Sequence, residues 1–430
     1  MPTVKDYILL NTNVLSRTFS SLKSKNYRLY FIGQSISLIG TWMQTVAMSW
    51  LVYRLTGSVF LLGVVGFTSQ IPSFFLSPFA GVLTDRFNRH RIMLLTQVLF
   101  MVQALLLALL VLSGFIAVWH IIVLSLLFGL ITAFDAPARQ SMVIDMIDNP
   151  LHIGNAIALN STMFNGARLF GPAIAGVLIA VAGEGVCFML NAVSYITIII
   201  ALSKMKIKQK NKPENTASFT EGFTDGAKYT FGFIPIRTLL ILLATVSLFG
   251  LPYTVLMPAY VTEILKGGSH TLGFLMSASG VGALVGALYM ASRTTVIGLG
   301  RIISASACIF GIAIIGIAVS STLWISLFAM AIAGLCMIIT VASINTLVQT
   351  LVDEDKRGRV MSFYAMALMG MNPIGNFFAG SVASGIGIPY TMLIGGIITI
   401  VVGIWFDRIR VSLRAYTNPV YMKKGIIPKN

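Results

Sequence analysis

Residues 81–91 read Gly81-Val82-Leu83-Thr84-Asp85-Arg86-Phe87-Asn88-Arg89-His90-Arg91, a short charged turn between two apolar runs, Val59–Leu83 and Ile92–Leu112. Each run reaches the roughly 20 residues that a helix rising about 1.5 Å per residue needs to cross a hydrocarbon layer. A soluble helix pair would spread its charges along one face of each helix. Here they are confined to the turn, so the stretch reads as a membrane hairpin with its charges in the aqueous interface. Gly81 lets two helices approach closely.

The same pattern continues in both directions. Twelve apolar runs lie between Tyr27 and Ile409, among them a seventh at Arg237–Val261, an eleventh at Gly358–Ser384 and a twelfth at Pro389–Ile409. Of 430 residues 56% are hydrophobic and 10% charged, too little polar surface for a water-facing domain. The reading is an all-α membrane protein of twelve transmembrane helices. The net charge of +16 would suggest nucleic acid in a soluble chain, but here the basic residues alternate by loop. With the N-terminus inside, inner segments carry Lys23, Lys25, Arg28, Arg86, Arg89, Arg91, the lysines 204–212, Arg293, Arg301, Lys356, Arg357, Arg359, Arg408, Arg410 and Arg414, and outer segments only Arg54 and Lys266. That asymmetry places both termini in the cytoplasm. Residues 1–26 lack a signal-peptide pattern, so the first span is expected to act as its own uncleaved signal.

Residues 204–220 form the longest polar stretch and divide the chain at its middle. The expected organisation is a cytoplasmic segment 1–26, a six-helix bundle 27–203, a cytoplasmic linker 204–235 with a surface helix, a second six-helix bundle 236–410 and a cytoplasmic tail 411–430. The halves look related: a spacing of about 204 residues takes Gly154 to Gly358, Gly171 to Gly375 and Gly176 to Gly380. Cys187, Cys308 and Cys336 sit in apolar runs without disulfide or metal spacing. There is no Gly-x-x-x-x-Gly-Lys-Ser/Thr segment and no convergence of acids and histidines. Neither an enzyme nor a cofactor or metal is expected.

Ionisable residues inside a span are costly and usually paired or functional. Phe134-Asp135-Ala136-Pro137-Ala138-Arg139 places an acid four residues before a base, the favourable order on a helix. Arg168 in the fifth span falls at about the same depth. Asp135 reads as a protonation site governed by Arg139 or Arg168, and equally as a member of a static ion pair.

The 81–91 turn resembles the signature loop of the major facilitator superfamily, Gly-x-Leu-x-Asp-Arg-x-Gly-Arg-Arg/Lys, with Asn88 at the second glycine and His90 at a basic position. Asn tolerates a left-handed backbone, which would preserve the turn. The resemblance implies a gate latch of Gly81, Asp85, Arg86, Arg89 and Arg91, pairing internally and with the start of the eleventh helix, whose N-terminus attracts an anion. Gly166 to Gly176 resembles the Gly-Pro motif of drug/proton antiporters. Gly171, Pro172 and Gly176 match, while Ala167 and Ala175 replace glycines, and helix packing alone also explains the segment. With Phe134–Arg139, Arg168–Pro172 and Lys356–Ser362, the likeness extends over nearly the whole chain to the enterobactin-exporter-like and macrolide-efflux branch.

That likeness implies two bundles around a cavity lined by spans one, four, seven and ten. The cavity candidates are then Gln34, Thr41, Trp42, Gln44, Asp135, Tyr253, Ser343 and Asn345. Met48, Phe134, Phe249, Met257 and Met337 would supply an adaptable apolar wall. Asn372 and Asn376 are expected to satisfy each other or nearby backbone. The implied function is export of a small amphipathic organic molecule, siderophore or drug-like, by proton antiport from a bacterial cytoplasmic (inner) membrane. Nutrient uptake by proton symport, and a non-transporting receptor or assembly factor, are the alternatives. The implied partners are the substrate, protons and the lipid bilayer, with no nucleic acid and a monomeric chain.

Overall fold

The side chain of Asn88 accepts hydrogen bonds from the backbone N–H groups of His90 (3.0 Å) and Arg91 (3.2 Å). It therefore caps the helix that begins at Arg89, satisfying two of the donors a helix start leaves free. Its φ of −66° is extended, so asparagine serves here as a cap and not through left-handed backbone.

The computed structural model describes residues 19–205, 219–354 and 356–428, except for the side chains of 77–78, 81–86 and 219–223. Residues 1–18 of the expected segment 1–26 and 206–218 of the linker 204–235 lie outside the described residues, as do the side chains of residues 81–86, Asp85 and Arg86 of the expected latch among them. Among the described residues twelve transmembrane helices form two six-helix bundles. The first holds α1 (Lys25–Thr56), α2 (Val59–Thr68 and Ile71–Arg86), α3 (Arg89–Leu112), α4 (Val118–Asp145), α5 (Ile153–Ala182) and α6 (Glu184–Ser203). A short helix, Phe219–Gly232, precedes the second bundle. That bundle holds α7 (Ile234–Thr245, with turns to Thr254, then Met257–Glu263), α8 (Ser269–Ser292), α9 (Leu299–Val319), α10 (Leu323–Leu351), α11 (Arg357–Ala365 and Met371–Ile386) and α12 (Ile388–Lys423).

Most of these passes are long and apolar enough to cross a bilayer. The exceptions, α1 and α11, carry polar residues that face the interior. Three passes depart from the uniform spans expected of them. Helix α2 breaks at Ser69–Gln70. Helices α7 and α11 each contain a π turn, Val246–Gly250 and Met366–Gly370. A π turn disturbs the backbone ladder, and here the Ser247 hydroxyl donates to the Leu368 carbonyl, joining the two turns. Helix α12 runs well past Ile409 instead of giving way to a tail. Just beyond its end Lys424 Nζ donates to the carbonyls of Thr350 (2.7 Å) and Val352 (3.0 Å), docking the extension on α10.

The end of the molecule where α1 starts is rich in Lys and Arg and is called the basic end. There, ion pairs among the described residues include two within a bundle or its flanking helix: Arg89 pairs with Asp145 of α4 (3.4 Å), and Arg359 pairs with Asp225 of the short helix (3.4 Å). A separate apolar core around Tyr27, Tyr30, Met93 and Met142 belongs to the first bundle alone. At the opposite end one continuous core spans both bundles, from Leu51 and Leu62 to Tyr260 and Phe310. Tyr53 on α1 donates a hydrogen bond to Glu263 on α7 across that closed end.

The closure is made by backbone against backbone. A Cβ on Gly273 would lie 2.8 Å from Gly176 Cα where α8 crosses α5. A Cβ on Gly380 would lie 2.7 Å from Gly63 Cα where α11 crosses α2. Ser269 and Ser277 of α8 donate to the carbonyls of Gly176 (3.2 Å) and Leu169 (3.1 Å), adding polar contacts to the small-residue seam. Replacing Gly176 by Leu should force α5 and α8 apart. Spin labels at Leu55 and Lys266 would then report a longer distance across the closed end, whereas an unchanged distance in folded protein would show that the seam does not hold that end shut.

Candidate functional site

A cavity of about 610 Å³ lies between the bundles. Its polar chemistry comes mainly from the first bundle. Asp135 is 5% exposed, and the carboxylate accepts from Thr96 Oγ1 (2.9 Å) and Gln97 Nε2 (2.7 Å), both on α3. Arg139, one turn along α4, sits 3.6 Å from the other carboxylate oxygen. Its guanidinium also lies over the ring of Phe164, 4.7 Å from the centroid. The sequence places the pair on one face because four residues make about one turn.

Arg168 also lines the cavity but does not join that pair. Its guanidinium faces Trp42 at 5.8 Å from the ring centroid and reaches Met337 Sδ at 3.8 Å. The two arginines at similar depth are thus held apart, one by an acid and one by an aromatic face.

Behind α1 runs a buried amide chain. Asn191 Nδ2 donates to Gln44 Oε1 (2.8 Å), Gln44 Nε2 to Gln103 Oε1 (3.0 Å), and Gln103 Nε2 to the Leu124 carbonyl (3.2 Å). The chain fixes α1 against α3, α4 and α6 and orients the polar side of α1. Thr41 shares a hydrogen bond with Tyr195 (3.0 Å). Gln34 Oε1 and Ser37 Oγ, although buried, have no protein partner.

Of the expected cavity residues, Gln34, Thr41, Trp42, Gln44 and Asp135 line the space, as do Met48 and Met337. The second bundle's polar candidates do not. Tyr253 is buried behind the wall, 3.4 Å from Ser279 Oγ and edge-on to Phe310. Ser343 contacts Met290 Sδ of α8 at 3.3 Å, turned away from the cavity. Asn345 lies in a different recess near the basic end with Arg357 and Lys424. Met257 is fully buried in the joint core, and Phe134 and Phe249 do not line the space. Gly171, Pro172 and Gly176 lie along one helix with two tasks. A Cβ on Gly171 would meet Trp42 Cβ at 2.5 Å, so Gly171 seats α1, while Gly176 seats α8.

Residues not anticipated include Gln97, Gln103 and Phe100 on α3, and Met276 on α8. Glutamines inside an apolar run carried the signal, since an amide in a span needs a partner. Asn372 does not satisfy itself locally: its Nδ2 donates to Gln70 Oε1 across the bundles at 3.0 Å.

The family described as transmembrane secretion effector matches residues 16–420 of the chain. The sequence is 28% identical to the staphyloferrin A transporter of Staphylococcus aureus over 390 residues, 90% of this chain and 96% of that one. It is 25% identical to the multidrug efflux pump Tap of Mycolicibacterium fortuitum, covering 82% and 88%. A solved bacterial homologue of the human lysosomal transporter Spinster, inward-facing and unoccupied, shares the fold with a TM-score of 0.68 at 14% identity, covering 89% of this chain and 96% of that one.

Replacing Gln44 by Leu would strand Asn191 Nδ2 and Gln103 Oε1 in the chain above. A loss of about 1–3 kcal/mol is expected, read as a lower denaturation midpoint in detergent. Pairing it with Gln103→Leu should cost less than the sum of the two single changes.

Proposed function

The chain belongs to the transmembrane secretion effector family of major facilitator transporters, and on that premise we propose that it exports a small amphipathic organic molecule in exchange for protons. The observation that carries this reading is the Asp135–Arg139 pair on the cavity wall, with Asp135 held by Thr96 and Gln97. A carboxylate in a span costs free energy unless it is paired. Neutralising it by a proton frees Arg139 and changes the polar balance of the wall.

In the proposed orientation the basic end faces the cytoplasm and both termini lie there. The structure is then the inward-facing state, with its far end sealed by the glycine crossings. An exporter loads substrate in this state, with Asp135 ionised and paired. The bundles rock about the substrate, and the seams at α5–α8 and α2–α11 part. Substrate leaves on the far side, Asp135 takes up a proton there, and its release inside resets the carrier. Residues 204–235 tether the two bundles through this motion. The apolar surfaces of Trp42, Met48, Phe164, Met276 and Met337 favour an amphipathic compound, siderophore or drug-like, over a small polar nutrient.

The test uses inverted membrane vesicles, an imposed pH gradient and a panel of amphipathic compounds including siderophores. Asp135→Asn should abolish gradient-driven accumulation, while substrate counterflow without a gradient persists. Undiminished accumulation in the variant would make the pair structural. Gradient-driven depletion in place of accumulation would reverse the direction.

A further inference from the structure

The cavity wall carries three charged side chains among the described residues: Asp135, Arg139 and Arg168. The first two cancel, since Arg139 lies 3.6 Å from the Asp135 carboxylate. Thr96 and Gln97 hold that carboxylate further, so it offers little to Arg168. Arg168 is left with neutral neighbours, the Trp42 face at 5.8 Å and Met337 Sδ at 3.8 Å. The cavity as built therefore holds one uncompensated positive charge.

A guanidinium inside a membrane protein ordinarily faces an acid, backbone carbonyls or a ligand. A ring face stabilises it only in part. A second, independent observation comes from α1. Gln34 and Ser37, 3% and 1% exposed, each have a side-chain oxygen with no protein partner, and both residues line the same cavity. Buried polar atoms left unsatisfied are rare, and each calls for an explanation. A ligand suited to this wall supplies a negatively charged acceptor for Arg168 and further polar groups for Gln34 and Ser37. It also offers an apolar body for Trp42 and the methionines.

We propose that the transported molecule is an organic anion, its carboxylate bound in the fork of the Arg168 guanidinium beside Trp42. Planar, two-point pairing suits a carboxylate, and a desolvated site strengthens it. The sign also suits the proposed direction, because a membrane potential negative inside drives an anion outward. The inference rests on reading this cavity as the substrate site, but not on the coupling ion or the direction of flux.

Binding is therefore measured without any gradient. Purified protein in phosphatidylcholine nanodiscs is titrated with dansyl-glutamate and with its uncharged diamide. The acid should bind at least about tenfold more tightly than the diamide, the scale of one charge-assisted pair. Arg168→Gln should abolish that preference and leave the diamide unaffected. Arg168→Lys should keep part of it, having the charge without the fork. Equal binding of the two probes, no binding of the acid, or a preference that survives Arg168→Gln would overturn the proposal. If the glutamine variant does not fold, a lysine variant indistinguishable from wild type would count against the two-point pairing, and the wild-type comparison still decides the charge. Repeating the titration with phosphatidylglycerol present separates the two sources of an anion. Loss of dansyl-glutamate binding there would assign Arg168 to a lipid headgroup and overturn its role in substrate binding. Failure of proton-driven transport would leave all these binding results intact, so the two proposals fail separately.

Discussion

Two helix crossings at backbone contact set the geometry of this molecule. Where α5 meets α8 and α2 meets α11, glycine faces glycine so closely that no side chain fits between. Dispersion and weak backbone contacts at such short range replace the hydrophobic drive that a bilayer does not provide. Because these seams lie toward one end, the bundles converge there and diverge toward the basic end, and the cavity is the space that divergence leaves. The seams mirror one another. Gly176 and Gly380, about 204 residues apart, each meet a glycine of the other bundle, while Gly171 and Gly375 each seat a helix of their own bundle, α1 and α7. A repeated sequence spacing has become a repeated mechanical joint.

Much of this fold was legible because the bilayer imposes so coarse a rule. Twelve apolar runs separated by charged turns leave little choice but a helical bundle. What failed to show were the interruptions. The π turns of α7 and α11 obey no periodicity, and they are stabilised by each other through Ser247 and Leu368, a contact 121 residues apart in sequence. The end of α12 was missed because its polar last turns look like tail. They remain helical by docking on α10 through Lys424, which hydropathy does not register.

The site divided in the same way. Asp135, Trp42 and Gln44 stood out because polar or aromatic groups in a span demand an explanation. Ser343 and Asn345 were assigned to the cavity by their helix alone. Helix α10 is apolar nearly all round, so nothing in its pattern says which side faces in. Met337 faces the cavity, Ser343 faces α8, and Asn345 faces a separate recess. The glutamines of α3 were passed over although the signal was present. Their partners, Gln44 and Asp135, lie on other helices, and only folding brings Gln103 to Gln44 and Gln97 to Asp135. Such contacts hold their members firmly, since in a medium of low dielectric each unmade bond is expensive.

The cavity is also unequal in what its walls are made of. The first bundle supplies the acid, both arginines and the glutamines, most of them held in hydrogen bonds or an ion pair: Asp135 with Arg139, Thr96 and Gln97, and Gln44 with Asn191 and Gln103. The second offers mostly carbon and sulfur, with Asn372 and Asn376 at its edge. These two surfaces have different mutational freedom. A change among interlocked polar groups propagates through several neighbours, whereas swapping Met276 or Met337 for another apolar side chain of similar size disturbs only local packing. The cavity can therefore change shape on its apolar wall while the hydrogen-bonded wall opposite keeps its contacts.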